Sequence, residues 1–348
     1  MRRPLAHDDL WSLAVPSDPQ LSPDGATVAF TVTRLDRDSD GYRREIWAVP
    51  FEGGSARRLT SGDRDSSARW SPAGEEVAFL RATGPGAATE LWVLPWEAGE
   101  ARKLADLPGG AGEPVWSPDG SRLALSAPVR AERGGDGEAV VADRLDYKAD
   151  GAGLTGDTRS HLFVVDSGSG TARQVTFGDF SASTPVWSPD GERLAYSAST
   201  AADRDLEVEA VVHTVGSRGG RPAPVSPPGG LFHVSDWSAD GTTLLVHGQT
   251  RLRSGHDSLF ALPAAGGAPR DLLESFDRNV MAGAPGYPGA APRFDTLAGD
   301  GAAGRVVFCA RERGAVHAYA VAAGGGTPEV LAGGDLVIGG LSVRAGRV

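Results

Sequence analysis

Apolar and polar residues alternate with a period of two along many short stretches of this chain, such as "RLAYSAS" from Arg193, "HLFVVD" from His161 and "ELWVLP" from Glu90. Successive side chains of a strand point to opposite faces. This period, punctuated by Gly, Asp and Pro, therefore marks short antiparallel strands joined as hairpins. The stretches recur in one order: a strand like "RLAYSAS", one like "HLFVVD", a small Gly-rich turn, then a strand ending "RRLT" (Arg57–Thr60) or "RQVT" (Arg173–Thr176). No long helical period competes with this pattern. Only "HDDLWSLA", His7–Ala14, reads as helical, with Asp8 placed to cap a short amphipathic turn.

A turn phrase heads each set of strands. Five copies are plain: "LSPDG" at Leu21, "WSPAG" at Trp70, "WSPDG" at Trp116 and Trp187, and "WSADG" at Trp237. A worn sixth, "LAGDG", starts at Leu297, and "LSVRAG" at Leu341 opens a seventh. Successive starts lie 49, 46, 71, 50, 60 and 44 residues apart. Most of these spacings match one four-stranded propeller blade, and the 71 flags an insertion. The expected fold class is all-β: a β-propeller of four-stranded antiparallel blades, six recognisable and a seventh incomplete, behind a short N-terminal helix. The boundaries read as a helical segment over 1–16, blades near 17–60, 66–104, 112–176, 183–226, 233–273 and 292–331, and a partial blade over 337–348.

In Ser-Pro-Asp-Gly, proline fixes φ at the first central position, aspartate bonds nearby backbone at the second, and glycine accepts the positive φ that follows. Asp24, Asp119, Asp190 and Asp240 are thus turn residues, not catalytic or metal carboxylates, because equivalent turns of separate blades are spread around a ring. The preceding Trp70, Trp116, Trp187 and Trp237 are expected to pack between neighbouring blades.

Composition narrows the chemistry. A formal net charge of −11 argues against a nucleic-acid partner, which needs clustered Lys and Arg. No window of about 18 uninterrupted apolar residues is present, so no membrane-spanning helix and no membrane partner are expected. The start "MRRPLAHDDLW" meets Asp8 and Asp9 where a signal peptide has its apolar stretch. Cys309, the single cysteine, sits in "RVVFCA" and reads as a small buried hydrophobe, and the lack of a disulfide framework fits a reducing cytoplasm. The histidines show no zinc-ligand spacing, so neither a metal nor another cofactor is expected.

The opening "DDLWSLAVPSDPQLSPDGATVAF", the blade endings "RRLTSGD" and "RQVTFGD", and the stretch "RLDYKADGAG…HLFVVD" together resemble the N-terminal β-propeller of prolyl-oligopeptidase-type (S9) serine peptidases, closest to the acylaminoacyl-peptidase branch. The resemblance covers nearly the whole chain. It implies a propeller that precedes an α/β-hydrolase domain bearing Ser, Asp and His and restricts access of large substrates to it. The second reading is a stand-alone TolB-like or WD40-like binding scaffold, since TolB-type propellers carry "WSPDG" too.

The hydrolase chemistry needs a Gly-x-Ser-x-Gly elbow, and no such pentapeptide occurs here. "DSGSG" at Asp166–Gly170 lacks the first glycine and lies in a hairpin. "SGHDS", Ser254–Ser258, holds three triad residue types, but neighbours so close cannot direct side chains into a relay. No catalytic residue is assigned, and the chain is expected to be a fragment without serine-hydrolase activity. Peptide substrates are expected to meet it through a hydrolase domain outside these 348 residues, and the unfinished last repeat to favour self-association.

The 71-residue spacing holds a long connection, Pro128–Ser160, where a blade needs only a few residues. Arg130–Asp143 is charged, Gly-rich and expected to be mobile. The following "RLDYKADGAGLTGD" carries Arg144, Asp146, Tyr147, Lys148, Asp150 and Asp157 around glycines. That set forms either a self-satisfied surface loop or a wall of the substrate chamber and a contact on the hydrolase. Glu207 and Glu209 in "DLEVEAVV" are expected to share the solvated face of a strand.

Overall fold

The computed structural model describes every residue except 1, 2, 5, 131–140, 143, 151, 152, 157, 207, 252–254, 281–289, 296–303 and 345. The alternating stretches pair into six four-stranded antiparallel sheets, each with its strands in chain order. Their first strands are Ala14–Leu21, Asp65–Trp70, Val115–Trp116, Val186–Trp187, Leu231–Trp237 and Arg293–Asp295. First strands of successive sheets lie against one another, so they form the innermost layer of a β-propeller. Apolar side chains fill the wedges between sheets. Ala29 and Ile46 of sheet 1 meet Ala68, Val77 and Phe79 of sheet 2, and Leu91 and Val93 meet Leu123, Leu125 and Val165 of sheet 3. Each such valine, leucine, isoleucine or phenylalanine stabilises the ring by about 1.5–3 kcal/mol.

The turn phrase performs the same local task in four of its five plain copies, while the second, with Ala73 at the aspartate position, keeps only the serine's bond to the Glu76 amide. In sheet 3, Ser117 Oγ donates to Asp119 Oδ1 at 2.6 Å and accepts the Arg122 amide at 3.0 Å, while Gly120 takes φ 73°. Sheets 1, 4 and 5 repeat these bonds through Ser22 and Asp24, Ser188 and Asp190, and Ser238 and Asp240. The serine hydroxyl holds Asp119 down to about 2, helped by the Ser121 hydroxyl and amide. These carboxylates are consumed by their own turns.

The tryptophans stitch neighbouring blades together by hydrogen bonds as well as packing. The indole N–H of Trp70 donates to Gln20 O at 3.1 Å, that of Trp116 to Arg69 O at 2.9 Å, and that of Trp187 to Val115 O at 2.9 Å. Each acceptor immediately precedes the equivalent residue of the previous blade. Trp237 breaks the series, since its Nε1 is buried without a partner.

Antiparallel order fixes where connections go. Turns between strands one and two, and three and four, lie on one side of the ring, here the lower face. The connections between strands two and three, the crossings to the next sheet and the start of every innermost strand share the upper face.

Several details depart from the sequence reading. The N-terminal helix is a 3-10 turn, His7–Ser12, and Asp9, not Asp8, closes it by accepting the Ala6 amide at 2.8 Å. No seventh four-stranded sheet is present among the described residues. Residues 337–348 form bridges only: Val337 pairs in parallel with Val316 of sheet 6, and Arg344 with Arg347. The tail then reaches sheet 1, where Leu21 N donates to Ser342 Oγ at 2.9 Å and Arg347 pairs with Glu52 at 2.9 Å. It thus lies between the first and last sheets and bonds to both. The worn phrase at Leu297 lies outside the described residues.

Candidate functional site

Sheet 3 builds the insertion on an extended hairpin. Its second and third strands, Arg122–Arg130 and Thr158–Asp166, stay paired from Arg122↔Asp166 to Arg130↔Thr158, so the connection spans 131–157 and not Pro128–Ser160. The difference arises because Pro128 and Val129 remain in the ladder, opposite Ser160 and Arg159. The described part folds back on itself. A 3-10 turn, Leu145–Tyr147, leads into a two-residue hairpin in which Lys148 pairs with Leu154 and Ala149 with Gly153. Thr155 closes the unit: its hydroxyl donates to Asp146 O at 2.6 Å and its amide to Tyr147 O at 2.9 Å.

This unit docks onto the crossing from sheet 3 to sheet 4 and the upper loop of sheet 4. Arg144 Nη1 bonds Asp179 at 2.9 Å, and its Nη2 donates to Ala202 O at 2.8 Å. The Leu145 amide donates to Asp205 at 2.9 Å. Asp179 also accepts Arg159 Nε at 2.8 Å and both terminal nitrogens of Arg204, at 3.0 and 2.9 Å. Asp146 stands beside the same arginines, 3.9 Å from Arg159 and 3.6 Å from Arg204. Three guanidinium groups thus converge on one carboxylate. Partial burial pushes the Asp179 carboxyl up, but Arg159 and Arg204 more than offset it and hold it below the usual carboxylate range. Asp205 is held low chiefly by the Leu145 amide.

A cleft of about 670 Å³ opens between the insertion and the sheet 4 loop, lined by Arg144, Leu145, Tyr147, Asp203, Asp205 and Leu206 among others. Leu145 and Leu206 of its lining stand exposed, as do Leu154 of the hairpin and Phe177 of the crossing. The sequence-derived set therefore divides. Arg144, Asp146 and the backbone of Tyr147 belong to the docked cluster, whereas Lys148, its ammonium 5.6 Å from the Tyr147 ring centre, and Asp150 point to solvent. Asp157 lies outside the described residues. Asp179, Arg159, Arg204 and Asp205 were missed. Asp179 ends "RQVTFGD" as Asp63 ends "RRLTSGD", so position in the repeat marked it, but nothing local pairs it with three arginines.

Other sequence features resolve simply. Glu209 accepts the Gly229 amide at 2.6 Å in a loop, because the strand starts only at Val211, and Glu207 lies outside the described residues. In "SGHDS" the partners diverge: His256 faces Asp277, Asp257 accepts Gln249, and Ser258 donates to Asp271, while Ser254 lies outside the described residues. Asp166 bonds Ser169 within its own hairpin. Cys309 is buried, which pushes its thiol up to about 11. Among the described residues no group of three metal-ligating side chains occurs, and no helix is long and apolar enough to cross a membrane.

No family model matches the chain. An uncharacterized peptidase, YuxL, of Bacillus subtilis (strain 168) is 31% identical over 214 residues, which cover 57% of this chain and 32% of that protein. The chain thus spans about a third of the length of this curated relative. Among solved structures, the acylaminoacyl peptidase of Pyrococcus horikoshii superposes with a TM-score of 0.72 at 20% identity, over 95% of this chain and 48% of that one. The β-propeller domain of the Trilobed protease from Pyrococcus furiosus gives 0.63 at 18%, over 95% and 88%. TolB from Acinetobacter baumannii follows at 0.53 and 14%, over 87% and 63%. The peptidase propellers fit better over more of this chain than TolB does. The chain is a six-sheet β-propeller that resembles the propeller domains of prolyl-oligopeptidase-type (S9) serine peptidases.

Proposed function

We propose that this propeller is the non-catalytic, substrate-gating part of a cytoplasmic acylaminoacyl-peptidase-like serine peptidase, acting on peptides through a separate α/β-hydrolase domain. One observation carries the reading. The N-terminal segment before Ala14 and the docked insertion of sheet 3 emerge on the same face of the ring. A hydrolase domain encoded after the propeller and packed against the exposed Leu10, Trp11 and Leu13 of that segment would sit over the insertion, whose clamped arginine cluster and exposed Leu145, Leu154 and Phe177 offer it polar and apolar contacts. The partial match to a peptidase and the lone buried thiol support the class and the reducing compartment.

In this role Arg144 and Asp146 position the chamber wall, and Tyr147 and Lys148 present it to substrate or hydrolase. The propeller itself supplies no nucleophile. The 348-residue chain should give no covalent adduct with a fluorophosphonate probe and no turnover of an acylated amino-acid ester. The reading frame beyond Val348 should encode a Gly-x-Ser-x-Gly elbow. Stoichiometric labelling of a serine here, or a stop codon directly after Val348 in the native gene, refutes the proposal and leaves the binding-scaffold reading.

A further inference from the structure

A second cavity, of about 260 Å³, lies away from the insertion, in the wedge between sheets 1 and 2 toward the upper face. Its lining is entirely polar: Ser17, Asp18, Thr31, Thr33, Arg44, Ser66, Ser67, Arg69 and Glu113. The sequence explains how it forms. Ala29, Thr31 and Thr33 share one face of the second strand of sheet 1. The apolar packing around Ala29 and Ile46 therefore gives way to hydroxyls nearer the upper face. Opposite, the innermost strands of both sheets are bulged, at Ser17/Gln20 and Ser66/Arg69, where Asp18 and Ser67 take φ of 52° and 56°. Left-handed backbone at a non-glycine residue costs about 1 kcal/mol or more.

The charges within the cavity are unequal in their commitments. Arg69 is clamped by Asp18, at 2.8 Å, and by Glu113, and the other Asp18 oxygen accepts Gln20. Arg44 is different. It stands across the ladder from Thr33, and among the described residues its guanidinium has neither a hydrogen bond nor an ion pair. Thr31 is 3% exposed, and its Oγ1 is a buried hydroxyl without a partner. A buried hydroxyl left unpaired is costly, so a ligand that bonds it gains on binding.

We infer that this cavity binds a small monoanionic carboxylate, held by the Arg44 guanidinium and the hydroxyls of Thr31 and Thr33. The planar guanidinium fork matches a carboxylate in bidentate fashion. Glu113 and Asp18 on the opposite wall repel a second negative charge, which selects a carboxylate over a phosphate dianion. With no apolar side chain in the lining, the rest of the ligand carries amide or hydroxyl groups. A peptide ending in Gly or Ser and a small hydroxy acid share this chemistry. The inference concerns the 348-residue chain alone and is independent of any hydrolase domain.

Titration calorimetry of the whole chain with acetyl-Gly-Ser, its C-terminal amide and glycerate tests this. The free peptide acid should bind saturably and the amide at least about tenfold more weakly, the size of a lost charge-assisted bond. Arg44→Gln should bring the acid down to the level of the amide without altering the melt, since the side chain is exposed. Thr31→Val, which replaces an unpartnered hydroxyl by a methyl, should weaken both peptides. Glycerate binding with the same Arg44 dependence identifies a hydroxy acid as ligand, and its failure identifies a peptide end. Equal affinity for acid and amide, undiminished binding by Arg44→Gln, or no binding of either acid overturns the inference.

Discussion

Asp179→Ala should release the insertion while leaving the ring folded. The carboxylate accepts four charged hydrogen bonds, one from Arg144, one from Arg159 and two from Arg204, at 2.8–3.0 Å. Fully buried, each would contribute about 1.5–3 kcal/mol. The Asp179 side chain is 62% exposed, however, so screening brings each closer to about 0.5 kcal/mol. Four bonds then amount to about 2 kcal/mol, a shift of about 30-fold in the docking equilibrium. Trypsin reads that equilibrium at Arg144 and Lys148 when opening is fast relative to cleavage. Cleavage there should accelerate about 30-fold in the variant, with little change in the cooperative melt, because the apolar wedges are untouched. The carboxyl is held low in the folded state. Its contribution is therefore complete above the unfolded value of about 3.9 and fades as pH falls through the lower folded one. Hydrogen exchange of the insertion should thus distinguish variant from wild type at pH 7 and converge in acid. Cleavage within about twofold of wild type at neutral pH would show that the cluster does not hold the insertion.

Three further outcomes follow from the ring itself. Trp187→Phe removes the bond to Val115 and should lower stability by about 1–2 kcal/mol, whereas Trp237→Phe, which deletes an unpartnered N–H, should cost less; denaturant melts giving the reverse order would contradict the inter-blade role. Gly248→Ala places a Cβ 1.8 Å from Leu231 O at φ 136°, so it should destabilise by about 3 kcal/mol or more, seen as a lowered melting temperature. Cys309, with its thiol near 11, should react with a thiol reagent only on unfolding, and rapid labelling of the native chain would refute its burial.

The repeat made the fold readable. A turn phrase that fixes its own hydrogen bonds, followed by strands of period two, dictates the sheets locally, and the tryptophan ahead of it locates the neighbouring blade. The insertion was legible as an interruption, and Arg144 and Asp146 as members of its ordered half. What holds them was not legible, because Asp179 and Arg204 come from two other loops that only the ring brings together. "DLEVEAVV" shows the opposite error. It alternates like a strand, yet Asp203–Leu206 turns and leaves Leu206 and Val208 exposed, since the ladder of sheet 4 offers Asp205, Leu206, Val208 and Glu209 no partner. The polar cavity between sheets 1 and 2 was invisible for a related reason: its hydroxyls read as ordinary strand residues until the bulges at Asp18 and Ser67 open the wedge.

The proposed gating role is tested most directly in a protein that joins this propeller to a hydrolase domain, by comparing kcat/KM for a long peptide with that for an acylated amino-acid p-nitroanilide. Replacing residues 131–157 by a short turn should change the ratio of the two, with the long peptide gaining and the small substrate unmoved. A ratio that stays constant while both rates hold, or both fall together, would contradict a chamber wall and leave the insertion as a surface loop.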